Sequence, residues 1–420
     1  MDRRDFLKAA GLAGLGIVSP FGVRTARAQE EGPYTGPFFV LVNAAGGWDP
    51  TSLCDPKGRA NEEESDPMNF YFTGDIGQAG NIRYAPVAGN QAFFEKHYQK
   101  IMVINGVDTT TNGHDSGSRH TWSGRLAEGY PALGAFLSAS VAASKPLAFI
   151  SNGGFDETQG LVAPTRTGDT GSLSRIAYPN RLDPSNEASE LFTPATQARL
   201  QAAQRARLDR MQERQRLPRL KKAMGALYVA RSGENEIQRL TEFMPTDLDR
   251  SNNGLIRQAQ VALAAYRAGV CASVNLSTGG FDTHGDHDNR HFPSLQRITE
   301  GVDFLWEEAA RQGIADKLVV VVGSDFGRTP GYNAQNGKDH WSITSMMLMG
   351  QGVPGNRVVG STTDRHRPIA LDPTTLAPSE AGVRIKPGHV HRAIRQLAGL
   401  TGSSLDRLFP IVEEDLPLLG

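Results

Sequence analysis

Short, uniformly apolar runs separated by polar turns set the frame of this chain. The apolar runs Phe38 to Val42, Ile101 to Ile104 and Val270 to Leu276 read as strands, and with them Leu318 to Val322, which is too short and too uniformly apolar for anything but a buried strand. Lys145 to Ser151 reads as a further strand. Leu255 to Ala268 predicts a helix feeding the third of these runs. Leu295, Ile298, Val302, Leu305 and Ala309 recur at helical spacing before the fourth, with Gly313 where a C′ glycine belongs. This β-α-β order predicts an α/β fold whose sheet is mostly parallel, with right-handed crossovers. Thr193 to about Met244 is helical in character and broken near Pro218, which places a helical excursion at about residues 190–250. There is no internal repeat and no low-complexity tract.

The polar residues that follow the strands carry the candidate chemistry. Asp49 comes after the first run through Gly46-Gly47-Trp48. Asp282 lies in Gly279-Gly280-Phe281-Asp282-Thr283-His284, Asp325 in Ser324-Asp325-Phe326-Gly327-Arg328, and His340 in Lys338-Asp339-His340-Trp341. Ligands of open α/β sheets bind beyond the carboxyl ends of the strands, so these distant positions converge on one predicted metal site. The segment Asn112 to Gly124 predicts a helix start, where free N–H groups favour an ionised nucleophile or an anionic ligand. Each signal also has a plainer explanation. A single Asp at a strand end is commonly a turn former or helix cap, and Ser116 fits a cap as well as a nucleophile. His114 and His120 fit hydrogen-bonded surface histidines.

With those residues in view, the chain resembles the sulfatase-like family called domain of unknown function 1501, whose fold is similar to the alkaline phosphatase superfamily. The resemblance covers most of the chain after residue 28. It implies a three-layer sandwich around the mostly parallel sheet. It implies Asp49 and Asp325 as ligands of one metal ion, and Asp282, His284 and His340 as ligands of a second. Mixed carboxylate and imidazole ligation suits zinc, manganese or iron better than calcium. Ser116 is the first candidate nucleophile by that resemblance, with Thr111 and His114 behind it. Arg328, or Arg119, would hold the anionic oxygens of a substrate. Phe326 departs from the Asp-His or Asp-Asn pair usual in phosphatases and sulfatases, so one expected ligand is missing. The activity implied is hydrolysis of a phosphate, sulfate or related anionic ester on a small molecule or polymer. A non-catalytic binding or assembly protein on the same fold is the competing expectation.

The first residues change the setting. Arg3-Arg4 followed by Phe6-Leu7-Lys8, a modestly apolar Ala9 to Val18 and Ala26-Arg27-Ala28 resemble a twin-arginine signal with an A-x-A cleavage site. That makes residues 1–28 a leader, residues 29–420 the α/β domain, the twin-arginine translocase a partner and the periplasm the expected location. The apolar part is shorter than the about 20 residues a membrane span needs. Composition, with 21% charged and 39% hydrophobic residues, is that of a globular chain. The formal net charge of −1 becomes more negative once the basic leader is removed, which argues against a general nucleic-acid binder. Between Arg199 and Lys222, nine Arg and Lys face only Asp209 and Glu213, which predicts a solvated helix face, with an anionic polymer or lipid contact as the alternative. Cys54 and Cys271 cannot make a disulfide-dense scaffold. Cys54-Asp55-Pro56-Lys57-Gly58-Arg59 places its arginine one position too late for the sulfatase C-x-P-x-R motif, so Cys54 reads as a free loop thiol.

Overall fold

The computed structural model describes residues 32–166, 174–175, 177–217, 220–221, 224 and 234–420. The leader expected at residues 1–28 lies outside them. The strands are β1 (Phe38–Ala44), a short hairpin of β2 (Gly77–Ala79) and β3 (Ile82–Tyr84), β4 (Ile101–Asp108), β5 (Phe149–Ser151), β6 (Pro164–Arg166), β7 (Ser273–Thr278), β8 (Leu318–Ser324), a ribbon of β9 (Gly327–Arg328) and β10 (His340–Trp341), then β11 (Ile343–Gly350) and β12 (Arg357–Val359). Described helices that bear on the site and core are α1 (Asn90–His97), α2 (His114–Ser123), α3 (Leu133–Val141), α4 (Pro194–Arg214), α5 (Glu234–Phe243), α6 (Gly254–Arg267), α7 (His287–Arg311) and α8 (Pro387–Leu397).

Eight strands form one sheet in the order β12-β4-β11-β8-β1-β7-β5-β6. β1 runs parallel to both β7 and β8, and β5 runs parallel to β7 and β6. Only β11 opposes its neighbours, pairing antiparallel with β4 and β8. Because side chains alternate along a strand, Phe38, Val40 and Val42 enter one core while Phe39 and Leu41 enter the other. The first core is completed by Leu255 and Leu263 of α6, Leu295 and Leu305 of α7 and Phe94 of α1. The second holds Trp122 of α2, Phe136 of α3 and Ile394 of α8. These two cores make the three-layer sandwich that the apolar pattern and the resemblance imply. Truncating a fully enclosed ring such as Phe136 to alanine would cost roughly 3–5 kcal/mol.

The direction of β11 matters for the site. Its first residue, Ile343, pairs with Asp108 at the end of β4, so β11 starts on the edge where the parallel strands finish. The ribbon residues just before it, His340 and Trp341, are thereby delivered to the same edge as Asp49, Asp282 and Asp325. The segment Ile343 to Met349, interrupted by Thr344 and Ser345, is a strand beyond those the apolar pattern predicts, and its reversed direction has no sequence mark of its own.

α4 is the described core of the helical excursion. Thr193 caps it through Thr196 N–H, Pro194 opens it, and none of its side chains is buried. No described helix is long and apolar enough to cross a membrane. Cys54 and Cys271 are both buried free thiols. Burial, then the charge of Asp55, pushes the Cys54 thiol well above its ordinary value, which leaves it a poor nucleophile.

Candidate metal centre

Three loops and a helix start meet at the carboxyl edge of the sheet. β7 leads to Asp282 and His284, β8 to Asp325, the β9–β10 ribbon to His340, and β4 to α2, whose first residue is His114. In the ribbon, His340 pairs across from Arg328, with Thr329 N–H donating to Asp339 O at 2.9 Å. Gly337 lets this loop press on the Asp282 loop, since a Cβ there would lie 2.0 Å from the carbonyl of His284.

Each imidazole of the group is fixed from behind. His114 Nδ1 lies 2.9 Å from Asp325 Oδ2, His284 Nδ1 2.7 Å from Asp339 Oδ1, and His340 Nδ1 2.7 Å from the carbonyl of Asn112. Two carboxylates and a carbonyl stand behind the rings as acceptors, so the tautomer with its hydrogen on Nδ1 would leave each Nε2 free to bind an ion. Those Nε2 atoms converge. His284 and His340 place theirs 3.0 Å from Asp282 Oδ1 and 3.0 Å from each other, and His114 places its own 3.6 Å from the same oxygen. His114, Asp282 and His340 can all offer ligand atoms within 4.8 Å of one another. Imidazole nitrogens and a carboxylate oxygen at this spacing are a donor set that fits a divalent metal. The oxygen acceptors behind each ring are the outer contacts that orient metal-binding histidines. Phe326, wholly buried, lies beneath the rings of His114 and His340, with centroids 4.9 and 4.5 Å away. The residue that breaks the expected ligand pair therefore supplies the apolar floor of the group.

Asp282 is anchored by Arg328. Nη2 donates to Asp282 Oδ1 at 2.8 Å and also to Gly46 O, Nε donates to Gly47 O at 2.8 Å, and Nη1 to Lys338 O at 2.9 Å. Burial works against the charge of Asp282, yet Arg328 and then His340 hold its carboxyl well below the usual range. Asp325 goes the other way. Its burial raises it despite His114 and the Gly46 N–H, which donates to Oδ2 at 3.0 Å. Gly46 has φ +119, and a Cβ there would meet Asp282 N at 2.7 Å, so this turn needs glycine to approach the centre.

The remaining expectations separate. Asp49 and Asp325 are held by different partners, Lys338 and His114 respectively. Asp49 is wholly buried against Lys338, with Nζ to Oδ2 at 2.6 Å, and it caps the turn after β1 by accepting from Thr51 N–H at 2.9 Å. Ser116 does not reach the centre through any described hydrogen bond; its hydroxyl is taken up by Thr111 Oγ1 at 2.6 Å and Gly113 O at 3.1 Å. Its geometry is that of a first-turn helix residue. Arg328 is fully enclosed with its nitrogens committed, so it positions Asp282 and cannot grip a substrate oxygen. Arg119 pairs with Glu128 at 3.0 Å. His114, ranked behind Ser116 from sequence, is the residue that α2 turns toward the metal group. His114 opens α2 directly after β4, at the carboxyl edge where the other acids and imidazoles lie.

Residues 39–394 match the family described as Protein of unknown function (DUF1501). The chain belongs to this family. No curated protein matches it. Among solved structures, Ps i-CgsB in complex with k-i-k-neocarrahexaose is similar at a TM-score of 0.42 and 9% identity, over 92% of this chain and 76% of that one. TAB5 alkaline phosphatase carrying a His-to-Glu mutation with Mg bound has a TM-score of 0.37 and 8% identity, over 88% and 99%. The lipoteichoic acid synthase LtaP from Listeria monocytogenes has a TM-score of 0.35 and 9% identity, over 84% and 74%.

Proposed function

We propose that this chain is an exported, divalent-metal hydrolase of phosphate, sulfate or related anionic esters. The observation that carries the reading is the convergence of three Nε2 atoms on Asp282 Oδ1, each ring held from behind by an oxygen. His114, His284, His340 and Asp282 would hold the ion. When bound, it would supply Lewis acidity toward an ester oxygen. Asp282 and His284 are each about half exposed, so the group faces solvent, as a catalytic centre must and a structural one need not. Arg328 keeps Asp282 ionised and aimed, while Phe326 excludes water from beneath the rings.

With the Ser116 hydroxyl already bonded to Thr111 and Gly113, water would be the attacking oxygen. The anionic-ester class rests on the resemblance carried by Asp282, His284, Asp325 and His340, and export on Arg3-Arg4 and Ala26-Arg27-Ala28. A non-catalytic binding protein is the second reading, favoured by the full commitment of Arg328, which leaves no described cation at the centre to hold an anion. Elemental analysis of protein purified without added metal or chelator, with a panel of aryl phosphate and sulfate esters, tests both. About one equivalent of metal with turnover supports the hydrolase. Metal without turnover supports the binding reading, and absence of metal removes both the ion and the mechanism.

A further inference from the structure

Behind the metal group, Lys338 sits in surroundings built for a cation. Its side chain is wholly buried, and Nζ lies 2.6 Å from Asp49 Oδ2 and 2.8 Å from Asn69 Oδ1, with the face of Tyr332 4.9 Å away. Two oxygens and a ring face thus surround one ammonium. A nitrogen completes the set. His287 Nε2 faces Asp49 Oδ2 at 3.4 Å, a long contact that falls short of a well-formed hydrogen bond, and its residue has no exposure. The other nitrogen, Nδ1, bonds Thr283 Oγ1 at 2.7 Å. A ring nitrogen so loosely held in a wholly buried polar cluster calls for an explanation. His291 is satisfied by comparison, accepting from Asp49 N–H at 2.9 Å.

We propose that Lys338 is an internal cation occupying a second metal position, whose ligand atoms are Asp49 Oδ2, Asn69 Oδ1 and His287 Nε2. The separation of Asp49 Oδ2 from His287 Nε2 is what a zinc-sized ion bridges with bonds of about 2.0–2.2 Å. A protein-borne ammonium has one advantage over an ion in that place: it cannot be lost to a chelator. It also does structural work for the outer centre. Asp49 follows the Gly46-Gly47 turn whose carbonyls receive Arg328, and the Lys338 backbone bonds both Thr283 and Arg328. The fixed charge therefore braces the loops that carry Asp282, His284 and His340. It follows that the native protein takes one ion.

The proposal rests on the metal-centre reading only for that single native ion, and the two can be scored apart. Metal-free wild type, Lys338→Ala, Lys338→Met and Lys338→Ala with Asp49→Asn are titrated with zinc and their bound zinc measured after desalting. Lys338→Ala removes the ammonium and leaves room, so one equivalent more than wild type is expected. Lys338→Met fills the room without charge and should gain none. Adding Asp49→Asn should abolish the gain, and adding His340→Ala should preserve it while the native equivalent is lost. If wild type holds no zinc and Lys338→Ala holds one, the inner site stands and the outer reading fails. Lys338→Ala binding no more zinc than wild type overturns the proposal, as does an extra equivalent that survives Asp49→Asn. Failure of Lys338→Ala to fold in zinc while Lys338→Met folds overturns it too, because the ion would then not replace the ammonium.

Discussion

Asp282 stands half in solvent while the guanidinium of Arg328, 2.8 Å behind it, is wholly enclosed. The pair joins a solvent-facing ligand to the interior. Its inner half is satisfied by three backbone carbonyls, those of Gly46, Gly47 and Lys338, so the arginine ties the turn after β1 and the loop before His340 to one carboxylate. A planar fork with this many committed donors has no equivalent in lysine. Arg328→Lys should therefore lower stability by roughly 3–5 kcal/mol, the cost of breaking a buried charged network. It should also weaken metal retention, because Asp282 loses its anchor. Urea unfolding and bound-metal analysis of the same preparation check both; unchanged stability would show that the carbonyls need no guanidinium.

Removing the direct ligands should separate from removing what stands behind them. His284→Ala and His340→Ala each delete an Nε2 and are expected to abolish bound metal. Asp339→Asn keeps both rings but weakens the acceptor behind His284, and a loss of about 10–100-fold in affinity is expected. Zinc competition against a chelating dye measures all three. Equal loss in Asp339→Asn and His284→Ala would mean that Asp339 is itself a ligand.

Much of this site is written in local sequence. The apolar runs that precede Asp282 and Asp325 mark strand ends, and strand ends of a parallel sheet share an edge; that argument needs no tertiary detail. The partner of each acid is another matter. Nothing at Asp49 distinguishes a ligand from a carboxylate taken by Lys338, because that pairing spans 289 positions and depends on how two loops cross. His114 was undervalued for a similar reason: a helix start announces itself, but which side chain of the first turn faces inward depends on how α2 packs, and Gly117 lies so close to Asp325 that a Cβ would be 2.5 Å from its carbonyl oxygen. Arg328 looked like a substrate grip because it lies near Asp325, and only the closed turn at Gly46 and Gly47 shows its donors already used.

Ser116→Ala tests the helix start directly. The hydroxyl bonds only Thr111 and Gly113 within its own loop, so its loss should change stability by about 1 kcal/mol or less. Bound metal should stay at the wild-type level, and turnover on any responsive ester should remain within about threefold, since a 1.4 kcal/mol change in barrier would already be tenfold. A loss of several hundredfold with metal intact would restore Ser116 as the nucleophile.

The arginines of α4 should be dispensable for folding. Arg205, Arg207 and Arg210 sit on a helix with no buried side chain, where each charge contributes roughly 0–1 kcal/mol at most. Replacing all three with glutamine is expected to leave the urea midpoint nearly unchanged. A large drop would show that these residues pack against something.

The Asp49–Lys338 pair should be visible in acid. Burial opposes the charge of Asp49, but the Lys338 ammonium and then His287 outweigh it and hold the carboxyl well below its ordinary value. The sign follows from linkage: a carboxylate whose folded pKa is depressed contributes stability that is fully present above its unfolded pKa of about 3.9 and is lost as pH falls toward the folded value. Asp49→Asn alone strands a buried ammonium and should cost roughly 3–5 kcal/mol at pH 7, whereas Asp49→Asn with Lys338→Met removes both charges and should recover much of that loss. Between about pH 5 and pH 3 the double variant should also lose stability less steeply than wild type, because it lacks the group that must take up a proton on unfolding. Urea unfolding free energies across that range decide it. Parallel curves for the two proteins would mean that the Asp49 carboxyl titrates alike in both states and that the pair does not carry the charge assigned to it.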